Sequence, residues 1–177
     1  LRMVTWLLRR LGVRRILDMG CGDGWQANKL VQSGFEVVGA DIAPERLRRA
    51  RIHAPQATGF FAADMRHPPL AQNALQCIYL GQVLEHLPEP LGVLTSLRNA
   101  LAPGGYLVLD TPCRDNPVDD LIHLSGLSKR YPGSLEWGFQ LDPGHVRFFR
   151  LEEIRDLLQG VVVEGLGWLV VLGREPL

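Results

Sequence analysis

Three glycines in alternating positions are the residues whose type and spacing point most directly to chemistry. Gly20, Gly22 and Gly24 follow an apolar run that ends at Met19, and residues 25–33 then have the pattern of a helix. Glycine adopts positive φ and lets a ligand approach without meeting a Cβ. A strand that turns through glycines into a helix leaves unpaired N–H groups facing outward, beside the positive end of the helix dipole. The segment predicts a nucleotide-type binding turn at the carboxyl end of a parallel strand.

The spacing of these glycines argues against a dinucleotide ligand. A dinucleotide fingerprint reads G-x-G-x-x-G, whereas this chain reads G-x-G-x-G and continues with Trp25. Asp41 closes the next apolar run, where a carboxylate can accept both hydroxyls of a ribose. The same residue could equally be a helix cap ahead of Pro44. Both interpretations stay open from the sequence.

A second acidic residue follows the third apolar run. The Asp64 carboxylate could accept an exocyclic amine, and the N–H of Met65 could donate to a ring nitrogen. Asp64 could equally be a turn residue ahead of the proline pair at 68–69. Together with the glycine turn, the two acidic residues favour a ligand that crosses the carboxyl edge of the sheet.

The elements that position these residues alternate between strand and helix. Strands that are apolar throughout and separated by helices predict a parallel sheet that is covered on both faces. The predicted strands are 13–19, 35–40, 58–62, 75–80 and 106–109, and the predicted helices are 2–11, 25–33, 44–53 and one that begins at Pro88 or Pro90 and ends at Pro103-Gly104-Gly105. Two apolar runs, 161–166 and 168–173, predict a closing hairpin that adds an antiparallel strand.

The regular pattern lapses between residues 112 and 149. This segment is rich in turn residues and contains Tyr131, Trp137 and Phe139. A loop of this length within a compact domain is usually functional, so we expect a lid or an acceptor-binding insertion. A last helix is predicted over about 151–160.

Composition limits the class of protein. A chain of 177 residues predicts a single domain over 1–177, and a formal net charge of zero argues against a nucleic-acid or anionic-membrane partner. Three widely spaced cysteines without a C-x-x-C pair favour a reducing, cytoplasmic compartment. No apolar run has the length of a membrane span. The chain begins at Leu1 without an initiator methionine, so we expect further residues to precede it.

Six segments resemble, in order and spacing, the class I S-adenosylmethionine-dependent methyltransferases. The likeness covers residues 13–174 and is strongest to the broad group that includes ubiquinone-biosynthesis methyltransferases. It implies a Rossmann-like, doubly wound α/β fold with a seven-stranded sheet, mostly parallel, with an antiparallel strand 7 and helices on both faces. The segments are I-L-D-M-G-C-G-D-G, V-V-G-A-D-I, F-A-A-D-M, V-L-E-H-L-P-E-P, L-A-P-G-G-Y-L-V-L and H-V-R-F-F-R-L-E-E-I.

The resemblance also implies which residues hold the cofactor, S-adenosylmethionine. The methionine end of the cofactor would lie over Asp18, Gly20 and Gly22. Asp41 would bind the ribose, Asp64 and Met65 would bind the adenine, and Ile42 would also contact the cofactor. Leu80 to Gln82 would close over the sulfonium side. Two positions depart from the family pattern: Gln76 stands where an Asp is usual, and Arg150 stands where Ser or Thr usually caps a helix. Neither is expected to touch the cofactor.

The resemblance implies methyl transfer to a small-molecule acceptor through oxygen, nitrogen or carbon. The protein has to align the nucleophile, methyl and sulfur and to exclude water, and a base is needed only for a protonated acceptor. His86 and His145 are the candidate bases, although His145 could simply pin the 112–149 segment.

Two alternative functions remain. One is a non-catalytic module of the same fold. The other is a metal-assisted RNA 2′-O-methyltransferase, whose divalent ion Glu85, His86 and His145 would hold, with Gln82 standing where such enzymes have a first Glu. Because Gln82 removes one anionic ligand, we predict that no metal is needed.

Overall fold

The computed structural model describes residues 1–111, 149–150, 152–153 and 156, together with the backbone of two strands at 163–166 and 169–173. Within these residues, the strands and helices follow one another in the predicted order. The helices are α1 (Arg2–Arg10), α2 (Trp25–Gln32), α3 (Pro44–His53) and α4 (Pro90–Ala100), with a 3₁₀ turn at Leu84–His86. The strands are β1 (Arg15–Met19), β2 (Glu36–Asp41), β3 (Gly59–Ala62), β4 (Leu75–Gly81), β5 (Leu101–Asp110), β6 (Val163–Leu166) and β7 (Leu169–Gly173).

The first five strands form a parallel sheet, which confirms the Rossmann-like α/β class. β1 lies at the centre and pairs with β2 and β4, while β3 and β5 pair with the outer sides of these two strands. β7 pairs antiparallel with β5, and β6 pairs antiparallel with β7, so the strand order is β3-β2-β1-β4-β5-β7-β6. All five parallel strands therefore end at one edge, where the glycine turn follows β1.

Two buried clusters, one on each face of the sheet, explain why its strands are apolar throughout. Along β4, Ile78 and Leu80 belong to the cluster that includes α4. Cys77 and Tyr79 belong to the other cluster, which includes α1 and α2. Successive side chains of a strand point to opposite faces, so a strand covered on both faces has no polar side to show in its sequence.

The prediction that Pro103-Gly104-Gly105 ends a helix is wrong. Helix α4 ends at Ala100, and β5 begins at the next residue and runs through the glycines. The register steps from Leu75 opposite Leu101 to Cys77 opposite Tyr106, so β5 carries extra residues at this point. A Cβ at Gly105 would lie 2.9 Å from two backbone carbonyl oxygens. The glycines therefore accommodate an irregularity within a strand, a role that glycine also takes.

Gln76 supports the other edge of the sheet, where β1 begins. Its Oε1 accepts hydrogen bonds from the backbone N–H groups of Arg14 and Arg15, each at 3.0 Å. Its Nε2 donates to the carbonyl of Gly12 at 3.3 Å. An aspartate could accept the first two bonds but could not donate the third. The amide therefore stabilises the turn between α1 and β1.

Arg150 lacks a capping side chain, and a neighbouring residue compensates. The backbone N–H of Arg150 donates to Glu153 Oε2 at 2.7 Å, which is the reciprocal half of a capping box. Glu152, Glu153 and Asp156 are helical, in agreement with the last predicted helix where it is described. The predicted insertion over 112–149, apart from its last residue, and the rest of that helix lie outside the described residues. No helix in the described part of the chain is long and apolar enough to cross a membrane.

Candidate functional site

The glycine turn folds back on the end of β2 through its own amide groups. Gly20, Gly22 and Gly24 have φ angles of +82°, +54° and +82°, as their residue type allows. The N–H groups of Gly20 and Cys21 both donate to the carbonyl of Ala40, at 2.7 and 3.0 Å. The expectation that the turn presents unpaired amides is therefore wrong for these two residues. Their hydrogen bonds fix the turn against β2 and leave them unavailable to a phosphate.

The three glycines differ in what surrounds them. A Cβ at Gly24 would lie 2.8 Å from the backbone of Ala50 on α3, and a Cβ at Gly20 would lie 2.6 Å from Val83. At Gly22 the nearest atom would be an Arg46 guanidinium nitrogen at 3.7 Å. The outer two glycines therefore permit close packing, whereas a Cβ at Gly22 would only be in ordinary van der Waals contact with a flexible side chain. A ligand can approach the backbone most closely at Gly22.

Asp41 joins the glycine turn to the start of α3. Its Oδ2 accepts the N–H of Gly22 and its Oδ1 accepts the N–H of Ala43, both at 2.9 Å, and the residue is 6% exposed. Ala43 is the N-cap residue of α3. The carboxylate thus stabilises a helix start, as one interpretation of the sequence expected, and it also lies beside Gly22. Each oxygen keeps a second lone pair for a ligand hydroxyl.

Asp18 lies beneath the turn and has an unusual environment. It is 2% exposed, and its Oδ2 has no hydrogen-bond partner within the described residues. Burial, with a smaller effect from the Asp41 carboxylate, raises the pKa of Asp18 to about 7. A buried carboxyl oxygen without a partner is costly, and a cationic group brought close to it would relieve that cost.

Asp64 already has a partner in this structure. The N–H of Arg66 donates to Asp64 Oδ1 at 2.9 Å, and the Arg66 guanidinium binds both carboxylate oxygens. These hydrogen bonds lower the pKa of Asp64 to about 2. The geometry is that of the turn residue that the sequence allowed. The Met65 side chain points toward the glycine turn, where its Cε would lie 3.3 Å from a Cβ at Gly20. Ile42 is 61% exposed beside Asp41.

Two predicted residues, Leu80 and Gln82, lie at the end of β4, and Asp110 at the end of β5 is a polar residue that sequence reasoning missed. Leu80 is buried, and Gln82 has a positive φ of +56°. The Gln82 side-chain amide donates to Asp110 Oδ1 at 3.2 Å, and the Tyr79 hydroxyl lies 3.2 Å from Asp110 Oδ2 and also contacts Gln26. Asp110 closes β5 as Asp41 closes β2, so an acidic residue after an apolar run was a signal that could have identified it.

The residues considered for a metal do not converge in the described part of the chain. Glu85 is fully buried, and its Oε2 accepts a hydrogen bond from the Thr111 hydroxyl at 2.8 Å. His86 lies in the 3₁₀ turn after β4, and His145 lies outside the described residues. Within the described ranges, no three His, Cys, Asp or Glu side chains are grouped so that they could hold an ion.

Comparison with known proteins identifies the family. The family model described as a methyltransferase domain matches residues 2–161. The chain belongs to this methyltransferase family. Because the match includes both the glycine turn and the β4 and β5 ends, the site described above is the corresponding part of a methyltransferase domain.

Curated relatives of the methyltransferase domain carry one recurring name. This chain is 35% identical over 154 residues to a ubiquinone biosynthesis O-methyltransferase of Cereibacter sphaeroides, with 82% of this chain and 58% of the relative covered. It is 32% identical over 124 residues to the protein of that name in Psychrobacter cryohalolentis, with 66% and 47% covered. The chain thus spans about half the length of these relatives.

Solved structures support the fold of the methyltransferase domain. An S-adenosylmethionine-dependent methyltransferase from Archaeoglobus fulgidus aligns with a TM-score of 0.65 at 21% identity, covering 92% of this chain and 71% of that one. One from Mesorhizobium loti aligns with a TM-score of 0.64 at 20% identity, covering 94% of each chain. At these identities the likeness concerns the fold alone.

Proposed function

We propose that the methyltransferase domain transfers a methyl group from S-adenosylmethionine to a small-molecule acceptor, with oxygen as the methylated atom. The observation that carries the proposal is the glycine turn, which is fixed by its own amides and is bordered above Gly22 only by the flexible Arg46 side chain. Such a turn suits a ligand that lies flat against the backbone, and it suits a pyrophosphate poorly. The O-methyltransferase name of the curated relatives supports oxygen as the acceptor atom.

The methionine end of the cofactor would lie over the turn. The unpartnered oxygen of Asp18 suits a cationic amine, and Gly22, whose Cα faces only the flexible Arg46 side chain, suits a closely approaching chain. Gly20, which lies between Asp18 and Gly22 in the turn, would be covered by the methionine end as well. These two observations test the fit of the cofactor to this chain, and both favour it.

The nucleoside end would lie toward β2 and β3. The second lone pairs of Asp41 suit the ribose hydroxyls, and the exposed side chain of Ile42 suits one face of the adenine. Adenine recognition by Asp64 and Met65 requires the Arg66 guanidinium to share or leave the carboxylate. Leu80 and Gln82 would border the sulfonium side.

When bound, the cofactor supplies an activated methyl group, and the protein aligns the acceptor with it and excludes water. We propose His86 and His145 as candidate bases for an acceptor that arrives with its proton. We also propose that no metal takes part, because Gln82 has a neutral amide where an anionic carboxylate ligand would be needed, and this amide donates to Asp110. We further infer that β6 and β7 complete the seven-stranded sheet of the family, with an antiparallel strand 7.

A matched pair of alanine variants tests the proposed binding site. Gly22→Ala and Gly12→Ala both place a side chain at positive φ, +54° and +66°, and neither new Cβ meets an atom closer than 3.7 Å. Each is expected to cost about 1 kcal/mol of stability. Only Gly22→Ala is expected to weaken binding of S-adenosylhomocysteine, by about tenfold or more, in a calorimetric titration. Equal affinities for both variants would contradict the proposed site.

A further inference from the structure

A carboxylate outside the predicted cofactor set lies at the carboxyl edge of the sheet. Asp110 is the last residue of β5 and stands directly opposite Gly81 of β4 in the sheet register. It is half-buried, so part of its side chain remains accessible. The strand order β1-β4-β5 places Asp110 one strand beyond β4, and neighbouring strands are about 4.8 Å apart. A group at the end of β4 is therefore within a few ångströms of this residue.

Hydrogen bonds hold the Asp110 carboxylate in one orientation. The Gln82 side-chain amide donates to Oδ1 at 3.2 Å, and the Tyr79 hydroxyl lies 3.2 Å from Oδ2. The backbone N–H of Gln82 also donates to the Asp110 carbonyl at 2.7 Å. Gln82, which makes these contacts, has a φ of +56°, a conformation that costs a non-glycine residue free energy. The β4–β5 junction is therefore built around the position of this carboxylate.

Among the described residues, the side chains that form hydrogen bonds with Asp110 are the neutral Tyr79 and Gln82. None of the ion pairs formed by side chains within the described residues involves Asp110. Burial raises the pKa of Asp110, against smaller lowering effects from Tyr79, from the amino group of Leu1 and from Gln82. The carboxylate is thus oriented without being neutralised by a contacting cationic side chain, and it can attract a cation that a ligand brings.

The proposed methyl donor is a cation, and its product is not. In the proposed function, Leu80 to Gln82 border the sulfonium, and the Gln82 side chain contacts Asp110. We infer that Asp110 is a specificity-determining residue that distinguishes the charged methyl donor from the neutral thioether product. This inference rests on the proposed function. A sulfonium beside the end of β4 would lie within a few ångströms of this carboxylate and would be attracted to it in a partly buried site, whereas a thioether would not.

Such discrimination has a consequence for turnover. Methyl transfer removes the positive charge from the sulfur, so the product loses the attraction to Asp110 that the donor had. The product is then more readily replaced by a new donor molecule. A neutral residue at position 110 would hold both ligands about equally, and product inhibition would rise.

The test compares the affinities of S-adenosylmethionine and S-adenosylhomocysteine by calorimetric titration at pH 8 and low salt. Asp110→Asn keeps the size of the side chain and removes its charge. We expect this variant to lose about tenfold in affinity for S-adenosylmethionine and less than twofold for S-adenosylhomocysteine. Asp110→Glu keeps the charge and is expected to keep the preference of the parent protein. Circular dichroism establishes that each variant is folded.

Glu36→Gln is the matched control, because it exchanges a carboxylate for an amide at the opposite end of the sheet, on an exposed residue that begins β2. It is expected to leave both affinities unchanged. An unchanged ratio of the two affinities in Asp110→Asn would overturn the inference and leave the proposed function standing. If the parent protein bound neither ligand, the proposed function itself would be refuted.

Discussion

Asp18→Asn provides a prediction whose size follows from the structure. The folded protein raises the pKa of Asp18 from 3.8 to about 7, mainly through burial. The folded state therefore keeps its proton to a higher pH than the unfolded chain does. The contribution of Asp18 to the free energy of unfolding is therefore most favourable below about pH 4. It becomes less favourable as the pH rises toward about 7 and changes little above that. A shift of this size corresponds to at most about 4 kcal/mol.

The asparagine variant removes this titration. At pH 4 we expect the free energies of unfolding of Asp18→Asn and the parent to agree within about 1 kcal/mol. At pH 8 we expect the variant to be more stable by about 2–4 kcal/mol, because it buries no charge. Urea denaturation followed by circular dichroism at several pH values measures the difference.

Asp23→Asn is the control for this series. The Arg49 guanidinium lowers the pKa of Asp23. Asp23→Asn should therefore lower the free energy of unfolding at pH 8, whereas Asp18→Asn should raise it. Equal or lower stability of Asp18→Asn at pH 8, relative to the parent, would refute the argument from burial.

Other predictions concern residues whose contacts are defined. Asp41→Ala is expected to weaken binding of S-adenosylhomocysteine by about 1.5–3 kcal/mol, and also to lower stability, because Asp41 bridges the glycine turn and α3; unchanged affinity would leave it only a structural role. Gln76→Ala should lower the free energy of unfolding by about 1–3 kcal/mol, with ligand affinity unaltered, because it leaves two backbone N–H groups without their partner. Arg66→Ala should raise the pKa of Asp64 from about 2 toward its usual value and strengthen binding of S-adenosylhomocysteine; weaker binding would show that Arg66 itself holds the ligand. Methyl transfer should survive a chelator, and its loss, restored by added manganese, magnesium or zinc, would establish a metal site that the Gln82 amide argues against.

The sheet and helices could be predicted because their signals are local. α3, for example, runs from Pro44 to His53, as the proline and the acidic Glu45 in its first turn indicate. The glycine turn was recognisable for the same reason, since its spacing is contained within five residues. The Pro103-Gly104-Gly105 segment was misassigned because glycine serves equally at a helix end and in a strand irregularity, and only pairing with β4 decides between them.

The contacts of the candidate site depend on residues far apart in the chain. The bonding of the Gly20 and Cys21 amides to Ala40 appears only once β1 and β2 are side by side. The Asp110 contacts likewise depend on β4 and β5 being neighbours. Sequence alone could mark the acidic residues that follow strands, but it could not show which had internal partners.

Binding of the cofactor is the central claim, and calorimetric titration of the parent protein with S-adenosylhomocysteine and with NAD tests it most directly. We expect saturable binding of S-adenosylhomocysteine and no heat with NAD. The N–H groups of Gly20 and Cys21 already donate to the carbonyl of Ala40 and cannot bind a pyrophosphate. Saturable binding of NAD, with none of S-adenosylhomocysteine, would contradict it.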